Sequence, residues 1–207
     1  RVWLRQVPLD QEAVSTEMAL SAAAGQTAGL TETLRKKIQG AANKKDAIGQ
    51  ALSILGRMPD RKSAFEILDR ALTDSGAKNS LAAHIALADM ALAAGDAPRA
   101  VAEARLALAL SPRSEEAAMR VFEYGLRVDP KQALKDARAF VRANPGARRL
   151  RLMLASQLSD SRDFDGALQE LTDMQRRAPE DFDLLFMQAQ VAYRAKRLDQ
   201  ARAFLEQ

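Results

Sequence analysis

The stretch AAGDAPRAVAEARLALALSP, from Ala93 to Pro112, decides the fold. Alanine is its commonest residue, and two breaks frame it: Gly95-Asp96 near the start and Ser111-Pro112 at the end. Between the breaks, Ala100, Ala104, Ala107 and Ala109 carry an uninterrupted run of strong helix formers. Gly95 suits the left-handed end of a preceding helix, Asp96 can cap the next one, and Pro98 fits that helix's first turn, where its missing N–H costs nothing. Upstream, Ile85, Leu87, Ala88, Ala91 and Leu92 keep helical spacing. The stretch is therefore the hinge and second half of a helix pair running from about Leu81 to Ser114.

The pair recurs. Ala133, Ala167 and Ala201 stand where Ala100 stands, each just after a polar break, at spacings of 33, 34 and 34. Pro112, Pro145 and Pro179 close the same units at spacings of 33 and 34. Asp129-Pro130, Asp163 to Asp165 and Lys196 to Asp199 supply the later turns. A single period carried by two independent markers identifies an internal repeat. Upstream the signal weakens. Ala47 to Leu55 and Ser63 to Leu72 form a pair with Ala64 at the helix start, but Gly76 to Ser80 replaces the closing proline and the step to the next unit lengthens to 36. Gln11 to Ala24 and Thr27 to Gln39 read as an earlier pair joined through Gly25. Arg1 to Val7 reads as the tail of a still earlier second helix, and Gly40 to Lys45 as a flexible break.

Composition narrows the function. Hydrophobic residues make up 47% and charged residues 28%, the mixture of a folded domain, while aromatics are only 5%. The core must then be built from Ala and Leu, which favours helices over strands. There is no cysteine, so disulfides, thiolate metal sites and a cysteine nucleophile are excluded. The single histidine, His84, rules out a histidine cluster or a Ser-His-Asp triad within the chain and reads as a partly buried packing residue without a partner. Carboxylates at Glu115-Glu116 and Asp181-Asp183 fall near helix starts, where the helix dipole favours them. The net charge is +4, but acidic residues lie between most of the basic clusters, as on a solvated helix surface rather than a nucleic-acid groove. No apolar run is long enough to span a membrane. The chain opens on Arg1 and stops at residues 205–207 inside a helical pattern, so it reads as part of something longer.

The pattern resembles the tetratricopeptide repeat, a pair of antiparallel helices about 34 residues long. That family favours a small residue midway along the first helix, held here by Ala88, Val121, Ala155 and Ala189. It favours Ala at the start of the second helix, held by Ala100, Ala133, Ala167 and Ala201, and another small residue further on, where Ala107, Phe140 and Met174 stand. The family's aromatic early in the first helix is replaced by His84, Ala117, Arg151 and Leu185. The resemblance implies an all-α, right-handed superhelical array of helix pairs, an α-solenoid. Its repeats fall at about 81–113, 114–147, 148–181 and 182–207, with weaker pairs over 1–80. Small side chains let helix backbones approach, and stacking of neighbours completes a core that one pair cannot bury alone.

The resemblance also implies a non-catalytic scaffold that binds a peptide or helix of another protein on the concave face, lined by first helices. Projected onto this chain, that face holds Arg57, Asp89, Phe122, Arg149, Ser156, Phe186, Gln190, Tyr193 and Arg194. Phe122 and Phe186 fit the core between repeats equally well. The carboxylate clamp of some family members needs Lys and Asn at positions that here hold Gly49 and Ser53, Ile85 and Asp89, Ala118 and Phe122, Leu152 and Ser156, and Phe186 and Gln190, so no such clamp is expected. No cofactor, metal, nucleic-acid partner or membrane span is expected. The Ala-, Leu- and Arg-rich repeats are similar to those of bacterial cell-envelope proteins, which suggests a periplasmic setting with the cytoplasm as the alternative. The rival reading is a structural module that forms a homo-oligomer by pairing exposed terminal helix faces.

Overall fold

A computed structural model describes residue 20 and residues 29–206, and all regular structure in the described residues is helical. The helices are α1 (Leu30–Gly40), α2 (Lys44–Leu55), α3 (Arg61–Asp74), α4 (Leu81–Ala93), α5 (Ala97–Leu110), α6 (Glu115–Gly125), α7 (Pro130–Ala143), α8 (Arg148–Asp160), α9 (Phe164–Gln175), α10 (Phe182–Arg194) and α11 (Leu198–Leu205). The helix expected over Gln11 to Ala24, its join at Gly25 and the tail over Arg1 to Val7 lie outside the described residues, Leu20 apart. The chain divides at the Asp129 turn into two compact units, one ending at Val128 and one beginning at Asp129.

The turns form as their residues dictate. The Arg99 N–H donates to Asp96 Oδ1 at 2.9 Å, the Gln132 N–H to Asp129 Oδ1 at 3.0 Å and the Gly166 N–H to Asp163 Oδ1 at 3.0 Å. Pro98 and Pro130 sit in the first turns of α5 and α7. Gly95 ends α4 in the left-handed region at φ 82°. Arg162 and Lys196 occupy the same repeat position at φ 67° and 62°, so the turn keeps its shape even without glycine. The break expected over Gly40 to Lys45 is confined to residues 41–43 between α1 and α2. Asn43 caps α2, and the Lys44 ammonium reaches back to the carbonyls of Ile38 at 2.8 Å and Ala41 at 3.1 Å. A cation on the carbonyls of a helix end adds to their hydrogen bonding and complements the helix dipole.

In the first unit, Leu34 and Ile38 of α1 pack with Ile48 and Leu55 of α2, Leu68 and Leu72 of α3, and Leu87 and Met90 of α4. A second cluster joins Ala88 and Ala91 of α4, Ala100 and Ala104 of α5, and Val121 and Tyr124 of α6. The small residues that carry the period are buried in both units: Ala88, Val121, Ala155 and Ala189 on first helices, Ala100, Ala133, Ala167 and Ala201 on second helices. In the second unit α9 lies against α8 and α10, and α11 against α10. Each helix packs on helices one or two places away in sequence, which is the α-solenoid pattern.

Two of the four slots where the family's aromatic is missing hold polar pairs instead. His84 is buried, and its Nδ1 lies 2.7 Å from Glu103 Oε2, so it does have a partner, contrary to the sequence reading. Arg99 donates to the other oxygen of Glu103 through Nε at 2.9 Å and sits over the Phe65 ring at 5.7 Å. Two repeats later, Arg151 occupies the slot of His84 and Glu170 that of Glu103. Arg151 Nη1 donates to Glu170 Oε2 at 2.9 Å, and its Nη2 donates to the Val141 carbonyl at 2.7 Å.

Candidate functional site

Two first helices of the second unit, α8 and α10, run side by side over α9. They are tied at both ends: Arg148 pairs with Asp181 at 2.8 Å, and Arg194 donates to Ser159 Oγ at 2.9 Å and pairs with Asp160 at 2.9 Å. Successive residues on a helix are about 100° apart, so Leu152, Ala155, Ser156 and Ser159 share one side of α8, and Met187, Gln190, Val191 and Arg194 share one side of α10. These two sides face each other across a cleft of about 180 Å³, with Leu171 of α9 as its floor. Leu152, Ala155, Leu171, Met187 and Val191 make it apolar, while Ser156, Gln190 and Arg194 hold the exposed rim. Among the described residues no group of three or more His, Cys, Asp and Glu side chains could hold a metal, and no helix is long and apolar enough to cross a membrane.

Three of the projected residues, Ser156, Gln190 and Arg194, meet at this cleft. Arg149 is exposed one turn before Leu152, on the same shoulder of α8 as Ser156. Arg57 is exposed in the turn after α2, in the other unit. Two projections are corrected. Phe122 is only 2% exposed and lies in the core. Asp89 is committed internally: Arg120 donates to its two oxygens at 3.2 and 3.3 Å, and the Tyr124 hydroxyl donates to it as well. Burial, then the bond to the Asp89 carboxylate, push the Tyr124 phenol above its ordinary value, and the same carboxylate raises Arg120. Tyr124 is thus a neutral donor in a tie between α4 and α6, and neither oxygen of Asp89 is left unpaired.

Phe186 and Tyr193 are exposed, but on the other shoulder of α10 from the cleft. Repeat spacing explains this. Phe186 stands in the slot of Ile85, which packs with Ala117 of the next first helix, and of Leu152, which faces α10 across the cleft. Tyr193 stands in the slot of Leu92, which packs against the cluster containing Val121 and Tyr124, and of Ser159, which accepts from Arg194. Both residues therefore look toward where a next first helix packs. Among the described residues α10 has no such neighbour.

The family model described as Tetratricopeptide repeat matches residues 152–207, the segment that holds the cleft. The fold is that of a tetratricopeptide repeat protein. A tetratricopeptide repeat protein from Parabacteroides merdae ATCC 43184 is similar over 94% of this chain and 77% of its own, with a TM-score of 0.56 at 16% identity. PilF of Pseudomonas aeruginosa is similar over 78% and 73%, with a TM-score of 0.55 at 20% identity. YrrB, described as a TPR protein with an unusual peptide-binding site, is similar over 85% and 90%, with a TM-score of 0.52 at 18% identity. No curated protein matches the chain. At these identities the likeness concerns the tetratricopeptide fold. The cleft-lining residues Leu152, Ala155, Ser159, Leu171, Met187 and Val191 were not among those projected from sequence. Their signal was present one helical step to either side of Ser156 and Gln190, but small and aliphatic side chains at those steps read as core.

Proposed function

We propose that this chain is a non-catalytic scaffold that binds a segment of another protein across α8 and α10. The observation that carries this reading is the cleft of about 180 Å³, apolar inside and rimmed by Ser156, Gln190 and Arg194. Small-molecule sites occupy roughly 300–1,000 Å³, so this cleft is sized for one side chain rather than a metabolite. A single buried anchor surrounded by adaptable polar contacts is how protein interfaces concentrate their affinity. Tetratricopeptide relatives in general bind proteins or peptides, and the peptide-binding description of YrrB agrees with the reading. The bacterial cell-envelope setting rests on the Ala-, Leu- and Arg-rich repeats alone.

Selection of a displayed random-peptide library on the 207-residue chain, followed by fluorescence anisotropy of the selected peptides, tests this. Ser156 is exposed at the rim, so Ser156→Arg places a long charged side chain over the opening without disturbing the core. Affinity is expected to fall about tenfold or more, roughly 1.4 kcal/mol. Failure to select any peptide, or selected peptides indifferent to Ser156→Arg, would refute binding at this cleft.

A further inference from the structure

We infer that the α8–α10 cleft is a socket for one phenylalanine side chain, so that the partner segment bound there is one that presents a phenylalanine. This inference rests on the scaffold reading above and names the anchor that the scaffold takes. Size is the first argument. An enclosed apolar cavity of about 150 Å³ holds one benzene molecule. The cleft, at about 180 Å³, has room for a ring and a little more, and the side chain of phenylalanine is a ring on one methylene. Leucine and valine side chains are smaller and leave part of the space empty, which forfeits contacts with the lining. The lining itself suits a ring. Leu152, Ala155, Leu171 and Val191 are aliphatic, and the Met187 thioether is polarisable and makes favourable contacts with aromatic rings.

Charge and hydrogen bonding disfavour the other large side chains. One end of the cleft, at the starts of α8 and α10, carries the exposed Arg149 and Asp183, and the other end carries Asp160 and Arg194. Each end thus has one cation and one anion, and the mouth has no net charge to hold an ionised anchor. Arg194 already donates to Ser159 and pairs with Asp160. A lysine, arginine or carboxylate side chain would therefore enter unpaired, and burying an unpaired charge is strongly unfavourable. Tyrosine and tryptophan bring a polar tip against the aliphatic floor of Leu171, where a buried donor needs a partner. At the mouth, Ser156 and Gln190 are exposed and make no side-chain hydrogen bond among the described residues. A hydroxyl and a carboxamide each donate and accept, which matches the N–H and C=O groups of the backbone that carries the anchor. A buried aromatic ring inside a polar rim is the arrangement that concentrates affinity in protein interfaces.

NMR of the 207-residue chain with carbon-13 methionine methyl groups, titrated with N-acetyl-phenylalaninamide or N-acetyl-leucinamide, is the test. The Met187 signal is assigned by its loss in Met187→Leu. The phenylalanine amide is expected to shift that signal saturably through its ring current, at roughly millimolar concentration, as befits a ligand of its size. It should bind about tenfold tighter than the leucine amide. Leu152→Phe fills the cleft from its half-buried wall and should abolish the shift, and Ser156→Arg, at an exposed position, should weaken binding about tenfold. A Met187 signal that does not move, a leucine amide that binds as tightly, or a shift that survives both substitutions overturns the inference. The two readings fail separately. Selected peptides that depend on Ser156 but keep their affinity when every phenylalanine is replaced by leucine support the scaffold and overturn the anchor. A phenylalanine amide that binds at Met187 when no peptide can be selected supports the ring socket and overturns the scaffold.

Discussion

The pair Arg151–Glu170 permits a quantitative prediction. Its side chains are only 5% and 12% exposed, and they meet at 2.9 Å, with the second arm of the guanidinium on the Val141 carbonyl. Glu170→Ala removes the carboxylate that Arg151 pairs with among the described residues, and breaking a buried pair on one side costs about 3–5 kcal/mol. For a chain of this length each kcal/mol moves the melting temperature by roughly 2–4 °C, so a drop of at least about 6 °C is expected. The chain itself offers the control. One repeat later the same two slots hold Leu185 and Phe204, an apolar pair. The double variant Arg151→Leu, Glu170→Phe should therefore recover most of the loss. It forfeits chiefly the bond to the Val141 carbonyl, about 1 kcal/mol. Urea unfolding followed by circular dichroism, arranged as a double-mutant cycle, isolates the coupling. A Glu170→Ala variant within about 1 kcal/mol of wild type would mean that the buried charge is not held by its partner. A double variant no more stable than the single one would mean that the slot needs ions rather than packing.

Two further outcomes are expected. Ala100 is completely buried between α4 and α5, so Ala100→Leu should overpack that contact and cost about 1–3 kcal/mol in the same urea assay, whereas Ala102→Leu on the exposed side of α5 should change little. The Arg35 guanidinium beside Glu32 holds its carboxyl down at about 2 from 4.5. The Ser63 hydroxyl and N–H, with the Lys62 N–H, hold Asp60 low at the start of α3. A depressed folded pKa contributes stability that is present above the unfolded value and lost as pH falls through the folded one, so stability should decline as pH drops from about 4.5 toward 2. Glu32→Gln should flatten that decline; a variant with the wild-type acid profile would remove Glu32 as a cause.

Much of the architecture was legible because close helix packing imposes a residue size. At Ala100, Ala133, Ala167 and Ala201 the backbone of one helix lies against another, only a small side chain fits, and the spacing of alanines records it. The turns were legible because Asp96, Asp129 and Asp163 perform a local task that needs no tertiary context. His84 and Glu103 were opaque for the opposite reason. Each reads as an isolated polar residue, and their pairing exists only once α4 and α5 are folded together. Phe122 could not be decided because a first helix turns one apolar arc toward its own second helix and another toward its neighbours, and periodicity does not say which arcs are covered. Tyr193 and Arg194 adjoin in sequence, yet the helix sends them to different shoulders, one outward and one into the cleft.

Comparison of equivalent slots shows where this array keeps its freedom to vary. One position inside each helix pair is constant: alanine stands in the first turn of every one of the last four second helices. Contacts between one first helix and the next are not. One slot reads Ile85, Ala118, Leu152, Phe186, and another reads Leu92, Gly125, Ser159, Tyr193. Side-chain size at these slots decides whether neighbouring first helices close up or stand apart. Leu92 reaches the cluster around Val121 and Tyr124 and helps to seal that side of α4. Ser159, in the same slot two repeats on, is too short to do so; it takes the Arg194 guanidinium instead, and the space left beside it, between Leu152 and Val191, is the cleft. Tyr193, in that slot again, is exposed, and among the described residues no further first helix lies against it. A single repeat position thus yields a sealed contact, an open cleft and an exposed aromatic as its side chain changes, while the alanines that set the period hold the helices in place around it.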